Sequence, residues 1–403
     1  MSNYTGILGI CAIFLVGYGL SENRKMIAWR TVLGAFAMQV FFAFFVLYVP
    51  MGKMLLAKLA DVVQIILDAG KAGVIFVFGP LAYNNTAFVF AFNVLAIIIF
   101  IASLVSVLYY LKIMPFIVNS LGLGLSKLLK SSKTESLSAA ANIFLGPTEA
   151  PLIVKPFLTT MTRSQLFAVM TGGLTSVAGS SLAGYVALGV NLKYLLAAAF
   201  MTAPAGLLMA KLLIPETETT NEDITILTIE EEAPANVIEA AAQGASIGMK
   251  LVLNIAAMLI AFIGLINLSN IILGAVGSCV GYPELSFNYI MGIIFGPIAF
   301  MLGVPSAEMQ VVGNLLGQKL ILNEFVAFTT LLQTGQHLSS HSQAIIIFAL
   351  CGFSNIGSLG ITIGGIKALA PSRTSLAAQL ALKVVLASTL ANLLSGAVVG
   401  LIL

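Results

Sequence analysis

Asn142-Ile143-Phe144-Leu145-Gly146-Pro147-Thr148-Glu149-Ala150-Pro151 places a carboxylate, a hydroxyl, an amide and helix breakers inside sequence that otherwise reads as membrane core. An acidic residue at the bilayer centre costs about 2.5–3.5 kcal/mol on insertion scales. Glu149 therefore needs a compensating role. Gly146, Pro147 and Pro151 interrupt the helix at the same point, and broken backbone at membrane depth survives only where protein or a polar cavity surrounds it. A second stretch of this kind, Asn323-Glu324-Phe325-Val326-Ala327-Phe328, follows later in the chain. Two short helices meeting at each polar tip would offer backbone donors and acceptors to one shared site.

The apolar context is quantitative. Of the 403 residues, 59% are hydrophobic and 9% charged, with a mean hydropathy of +1.04, whereas a soluble domain carries about 25% charged residues. The fold class is an all-α polytopic membrane protein. The net charge of +3 comes with no basic stretch interleaved with aromatics, so nucleic acid is not an expected partner. Cys11, Cys279 and Cys351 lie far apart and suggest neither a disulfide framework nor a metal cluster. His337 and His341 have i, i+4 spacing but no third ligand in view, and read as solvated loop residues. The sequence has no nucleophile motif with a histidine partner, no HExxH and no Walker A loop, which argues against an intramembrane protease or an ATP-driven pump. No catalytic residue is expected.

A span needs about 20 apolar residues. Residues 4–20, 32–49, 88–111, 165–190, 194–213, 250–273, 344–366 and 376–403 meet this, giving about eight transmembrane helices. The first is read as a span because it lacks the basic flank and cleavage pattern of a signal peptide. Residues 51–78 read as an amphipathic helix on the outer surface, followed by a turn at Asn84-Asn85-Thr86. Residues 134–162 and 305–336 are too long for loops, and each is divided by its polar tip into pieces too short to cross. They are expected to be re-entrant hairpins. Span 165–190 should unwind near Thr175-Ser176, and span 344–366 near Gly352–Ser358.

Arg24, Lys25, Arg30, Arg163, Lys367 and Arg373 assign their loops to the cytoplasm by the positive-inside rule, leaving both termini outside. The resulting organisation has four parts. Residues 1–87 form N-terminal spans and an outer helix, and 88–214 a first unit containing hairpin 134–162. Residues 215–235 are an acidic linker, and 236–403 a second unit containing hairpin 305–336. Each unit runs span, interfacial helix, hairpin, broken span, span. The first begins outside and the second inside, so the pair form an inverted repeat of five-part units, a transporter signature.

Glu149 and Glu324 are the leading candidates for gripping a hydroxyl- or NH-bearing substrate, the plainer alternative being salt bridges to Lys155 and Lys319. Asn355 and Ser358, three residues apart, share a helical face, or else serve as small polar packing residues. Asn142, Thr175 and Ser176 offer the oxygen ligands a sodium ion prefers, or else satisfy backbone freed by the neighbouring glycines. Phe325 and Phe353 adjoin the polar tips, where an aromatic face suits a planar base.

Gly146-Pro147-Thr148-Glu149-Ala150-Pro151-Leu152, Pro215-Glu216-Thr217-Glu218, Asn323-Glu324-Phe325-Val326-Ala327 and Ala349-Leu350-Cys351-Gly352-Phe353 occur in the order that characterises one family. The chain resembles the concentrative nucleoside transporters over nearly its whole length. That resemblance implies a homotrimer in the inner (cell) membrane. It implies nucleoside import by an elevator-like movement of a transport domain, coupled to sodium or, in some members, to protons; a passive facilitator is the rival class. It implies that Thr148 and Glu149 meet the nucleobase and that Glu324, Asn355 and Ser358 bind the ribose hydroxyls. Phe353 and Ser181 would line the pocket. Sodium, the coupling ion, would be held by the side chains of Asn142 and Ser176 and the carbonyls of Leu145 and Val177. No other cofactor is implied. Pro147 stands where the family commonly has Gln, and Ser181 where an apolar residue is frequent, which leaves purine or pyrimidine preference open.

Overall fold

The computed structural model describes residues 2–82, 89–147, 149–218, 234–279, 281–282 and 284–403, with side chains from Thr5 onward. The turn expected at Asn84-Asn85-Thr86, Thr148 at the first tip, and most of the acidic linker lie outside the described residues. Among the described residues every regular element is helical, and no strand is present.

The chain opens with α1 (Ser2–Gly19), α2 (Trp29–Leu47) and α3 (Pro50–Phe78). A π-turn, Ala91–Leu95, leads into α4 (Ala96–Tyr110), and α5 (Ile113–Leu129) follows. Lys112 and Lys130 bracket α5 in the left-handed conformation, which ends regular helix on both sides. The first hairpin contains α6 (Lys133–Ala141), α7 (Ala150–Ile153) and α8 (Lys155–Leu158). Then come α9 (Arg163–Thr175), α10 (Gly179–Leu188) and α11 (Leu192–Leu213). Beyond the linker are α12 (Val237–Cys279), α13 (Phe287–Met301) and a second hairpin of α14 (Met309–Ile321) and α15 (Glu324–Thr334). The chain closes with α16 (Ser340–Leu350), α17 (Ser358–Leu369) and α18 (Thr374–Ile402).

Capping chemistry sets where the hairpins begin and turn. Ser132 and Glu135 form a reciprocal capping box at the start of α6, and Thr162 and Gln165 do the same for α9. Asn323 accepts from the Val326 amide at 2.9 Å and starts α15. Such caps satisfy amides that a helix end leaves unpaired and contribute about 1 kcal/mol each.

Hydrogen bonds locate the ends of the bundle. Glu135 of α6 pairs with Lys211 at the end of α11, while Arg373 donates to the Leu158 carbonyl at the end of α8. The first hairpin thus starts and finishes at the end of the molecule that carries the α1–α2 connection. The second opens at the other end. Glu308, preceding α14, accepts from the backbone and hydroxyl of Ser339, and His341 bonds the Gly400 carbonyl near the C-terminus. His341 is therefore half-buried in the first turn of α16, not the solvated loop residue its sequence suggests. The start of α1 lies at this same end, since a Cβ on Gly6 would sit 3.4 Å from the Ala397 carbonyl.

Among the described residues, seven helical stretches are long and apolar enough to cross a membrane, judged by length and composition. That criterion admits α3 and the interrupted α9–α10 pair, and passes over α1 and the α16–α17 pair, whose described pieces are shorter apolar helices. The span expected at 250–273 is part of a longer helix: α12 runs unbroken for 43 residues. At 1.5 Å rise that is about 65 Å, roughly twice the hydrocarbon thickness. Burial is uneven. Of the most apolar window in α11, 94% is buried, against 6% in α12. An apolar helix with so little protein cover calls for lipid or a neighbouring chain around it.

Candidate functional site

The polar centre is assembled where the two hairpin tips meet the interruptions in α9–α10 and α16–α17. Glu149 precedes α7 and accepts from the Gly146 amide at 3.3 Å, with Pro151 in the first turn of that helix. Glu324 occupies the first position of α15. Glu324 thus stands at the N-terminus of an eleven-residue helix, where unpaired amides and the helix dipole favour negative charge, while Glu149 is met by the amide of Gly146. This local chemistry partly compensates for burying an acid.

Glu324, 3% exposed, has one hydrogen bond to each oxygen, which leaves acceptor capacity on both. One oxygen accepts from the Tyr185 hydroxyl at 3.0 Å and the other from the Asn355 amide at 3.3 Å. Asn355 in turn accepts from the Ser358 amide at 2.8 Å and from its hydroxyl at 3.0 Å. Glu324, Asn355 and Ser358 therefore form one continuous polar chain. Lys319 does not pair with Glu324; its ammonium goes to the Ala349 carbonyl and the Asn392 side chain, each at 2.7 Å. Glu149 belongs to the first hairpin and has no described hydrogen bond to this chain.

Tyr185 was not among the sequence candidates. Its sole signal is a phenol embedded in the small-residue run Gly179–Gly184, since a buried Tyr hydroxyl needs a partner. Ser181 is one helical turn earlier on α10, completely buried, with an unpartnered hydroxyl. Phe353 lies in the α16–α17 interruption, half-buried, and its amide donates to the Ser176 carbonyl at 3.1 Å. Phe325 is less available to a ligand. Its ring is 2% exposed and packs on Tyr185, with ring centroids 4.6 Å apart.

The other expected cluster surrounds the α9–α10 interruption. Asn142 ends α6, is 2% exposed, and has both side-chain polar atoms unpartnered. A buried amide left so is costly and is uncommon among native side chains. Glycines admit it closely: a Cβ on Gly172 would sit 3.0 Å from its nitrogen. Ser176 follows the end of α9, and its hydroxyl makes one long contact, 3.4 Å, to the Gly173 carbonyl. Leu145 and Val177 are buried beside the two breaks, and the Gly179 amide joins them by donating to the Phe144 carbonyl at 2.9 Å. Thr175 is committed elsewhere, donating to the Thr171 carbonyl. Amide oxygen, hydroxyl and backbone carbonyls freed from helix are hard ligands suited to a small monovalent cation. The donor set fits sodium.

A buried polar centre built on helix ends within an apolar bundle defines a membrane transporter. The chain belongs to the Na+-dependent nucleoside transporter family. The family's N-terminal profile, "Na+ dependent nucleoside transporter N-terminus", matches residues 8–81, the "Nucleoside recognition" gate profile residues 91–191, and "Na+ dependent nucleoside transporter C-terminus" residues 194–400. The nucleoside permease NupC of Helicobacter pylori is 46% identical over 99% of this chain and 98% of its own. The sodium/nucleoside cotransporter 1 of Rattus norvegicus is 36% identical over 98% of this chain and 63% of its own. The solved structure of CNTnw in an inward-facing substrate-bound state is 45% identical, with a TM-score of 0.96, and covers 100% of this chain and 98% of that one. An outward-facing structure of a CNTnw variant matches with the same TM-score and the same coverage. These relatives are transporters and permeases, not enzymes.

Proposed function

We propose that the protein is a sodium-coupled nucleoside symporter of the inner (cell) membrane. It imports nucleosides by elevator-like movement of a transport domain within a homotrimer. The observation that carries this reading is the pairing of two polar centres at interrupted helices: the Glu324–Asn355–Ser358 chain and the unpartnered Asn142 amide beside Ser176. The two hairpins are re-entrant, α16 and α17 together make one broken span, and the count of spans is about eight. The five-part units 88–214 and 236–403 are related by inverted topology, and the hairpins opening at opposite ends of the bundle support this. Basic residues at the α1–α2 end assign that end to the cytoplasm, with both termini outside. The exposed apolar length of α12 suits a trimer contact or lipid.

Glu324, Asn355 and Ser358 take the ribose hydroxyls, because an ionised acceptor with neighbouring amide and hydroxyl groups matches a vicinal diol. Glu149 and Thr148 take the base, with Ser181 and Phe353 along the pocket. Sodium is held by the Asn142 and Ser176 side chains and the carbonyls of Leu145 and Val177. Its binding completes the first hairpin's contact with the α9–α10 break and favours nucleoside binding.

Uptake of labelled uridine and adenosine into proteoliposomes, with and without an inward sodium gradient, tests the reading. Accumulation above equilibrium only with the sodium gradient is expected. Equilibration alone would make the protein a passive facilitator, and accumulation driven by a proton gradient alone would replace the ion. Asn142→Ala with Ser176→Ala should abolish the sodium dependence.

A further inference from the structure

Asn392, in the middle of α18, touches neither proposed ligand site, yet its side chain reaches both helix interruptions. It is completely buried and uses its full hydrogen-bonding capacity. Its oxygen accepts from the Lys319 ammonium at 2.7 Å and the Ser354 hydroxyl at 2.8 Å. Its nitrogen donates to the Thr175 carbonyl at 2.7 Å and the Cys351 carbonyl at 3.2 Å. An amide has two donors and an oxygen with two lone pairs. The partners permit one orientation only, since a flipped amide would set its oxygen against two carbonyls.

The four partners come from three elements that the proposed cycle must coordinate. Thr175 directly precedes Ser176, at the α9–α10 break. Cys351 and Ser354 lie in the α16–α17 break, directly before Asn355. Lys319 belongs to α14, in the hairpin that carries Glu324, and its second bond, to Ala349, also reaches α16. The Phe353 amide adds a direct bond between the breaks through the Ser176 carbonyl. Gly352 allows this approach: a Cβ there would overlap the Asn392 side-chain oxygen and the Thr175 carbonyl.

We infer that Asn392, locked by Lys319, is a positioning residue that transmits ion binding at the α9–α10 break to the nucleoside-binding segment at the α16–α17 break. The inference rests on the proposed sodium and nucleoside sites. Sodium fixes the Ser176–Val177 backbone. The Thr175 carbonyl next to it is then held for Asn392, and the same amide aligns Cys351 and the strand of chain leading to Asn355 and Ser358. Lys319 supplies a buried donor where the second hairpin meets this crosspiece. It holds Asn392 in the orientation that donates to both breaks.

Such coupling is a measurable ratio: the factor by which saturating sodium tightens nucleoside binding equals the factor by which nucleoside tightens sodium. Uridine binding to the purified full-length protein in detergent is measured in sodium chloride and in choline chloride, for wild type, Asn392→Asp and Asn392→Ala. In wild type the factor should be at least about 10. In both variants it should fall at least about fivefold, with uridine affinity in choline staying within about threefold of wild type. Asn392→Asp keeps the shape and both accepted bonds while removing the donors, so it decides the matter if Asn392→Ala does not fold. A wild-type coupling factor in Asn392→Asp overturns the inference, as does an equal loss of affinity in both salts, which marks a purely structural role. A wild type without any sodium effect on uridine overturns the ion-site reading itself, and the relay with it.

Discussion

The Tyr185 hydroxyl donates to Glu324 at 3.0 Å, joining α10 of the first half of the chain to the second hairpin across 139 residues. The phenol ring packs between Phe325 and Phe328 at centroid distances of 4.6 and 4.7 Å. Packing fixes the ring, and the fixed ring fixes one carboxylate oxygen. The other oxygen is turned toward Asn355.

Tyr185→Phe keeps the ring and removes only the hydroxyl. A hydrogen bond to a charged group contributes about 1.5–3 kcal/mol, and about 1.4 kcal/mol is tenfold in affinity. Uridine should bind the variant at least about tenfold more weakly, with little change in sodium affinity measured without uridine. Unchanged uridine binding alongside a lower Tm would assign Tyr185 to packing alone.

Gly352→Ala tests the closeness of the two interruptions. The new Cβ would meet the Asn392 side chain and the Thr175 carbonyl well inside contact distance. Asn392 is held by four hydrogen bonds, so it cannot swing aside cheaply. Overpacking of this kind typically costs about 1–3 kcal/mol, and Tm by scanning fluorimetry should fall by several degrees. Gly360→Ala, whose added Cβ meets nothing within 4 Å, should leave Tm nearly unchanged. Equal Tm values for the two variants would contradict the tight approach.

The parts of this architecture legible in the sequence are those the bilayer makes expensive. Glu149 and Glu324 stand out because a buried carboxylate requires a reason, and Gly146 with Pro147 because a break needs protein around it. Asn355 and Ser358 do come together, but not on a shared helical face: Asn355 lies in the α16–α17 break and accepts from the amide and hydroxyl of Ser358, the first residue of α17. Tyr185 and Asn392 escaped because their importance comes from partners 139 and 217 residues away. An Asn in the middle of a span reads by itself as ordinary interhelical packing. The alternative partner for Glu324, Lys319, is close in sequence, but the helix turn at Leu322 and Asn323 sends its side chain to α16 and α18. The unbroken α12 was missed because Lys250 resembles a span boundary, whereas an exposed helix carries a Lys without interruption.

The proposed ribose clamp predicts discrimination among sugars. A site that pairs its buried polar groups with a substrate hydroxyl rejects analogues lacking it, because those groups are then left unpaired. Competition against labelled uridine should show the 2′- or 3′-deoxy analogue at least about tenfold weaker on wild type. Glu324→Gln should narrow the gap, since a neutral amide is the weaker acceptor. Equal affinity for uridine and both deoxy analogues on wild type would remove the clamp.

Glu22 predicts the acid behaviour of the α1–α2 end. Its carboxylate receives the Arg163 guanidinium at 2.9 and 3.2 Å and the Lys383 ammonium at 2.6 Å, linking the α1–α2 connection to α9 and α18. The hydrogen bond from Arg163 is the main cause lowering its pKa, burial opposes it, and Lys383 adds to the lowering. The result is about 2, against an ordinary 4.5. A carboxyl depressed in the folded state binds its proton more readily when unfolded, so it stabilises the fold at higher pH. That contribution is fully present above pH 4.5 and is lost as pH falls toward 2. The Tm difference between wild type and Glu22→Gln should therefore be constant above this window and shrink through it. High salt should reduce the difference at neutral pH, because the three groups are partly exposed and screened. A Tm difference independent of both pH and salt would show that Glu22 acts through packing and not through its charge.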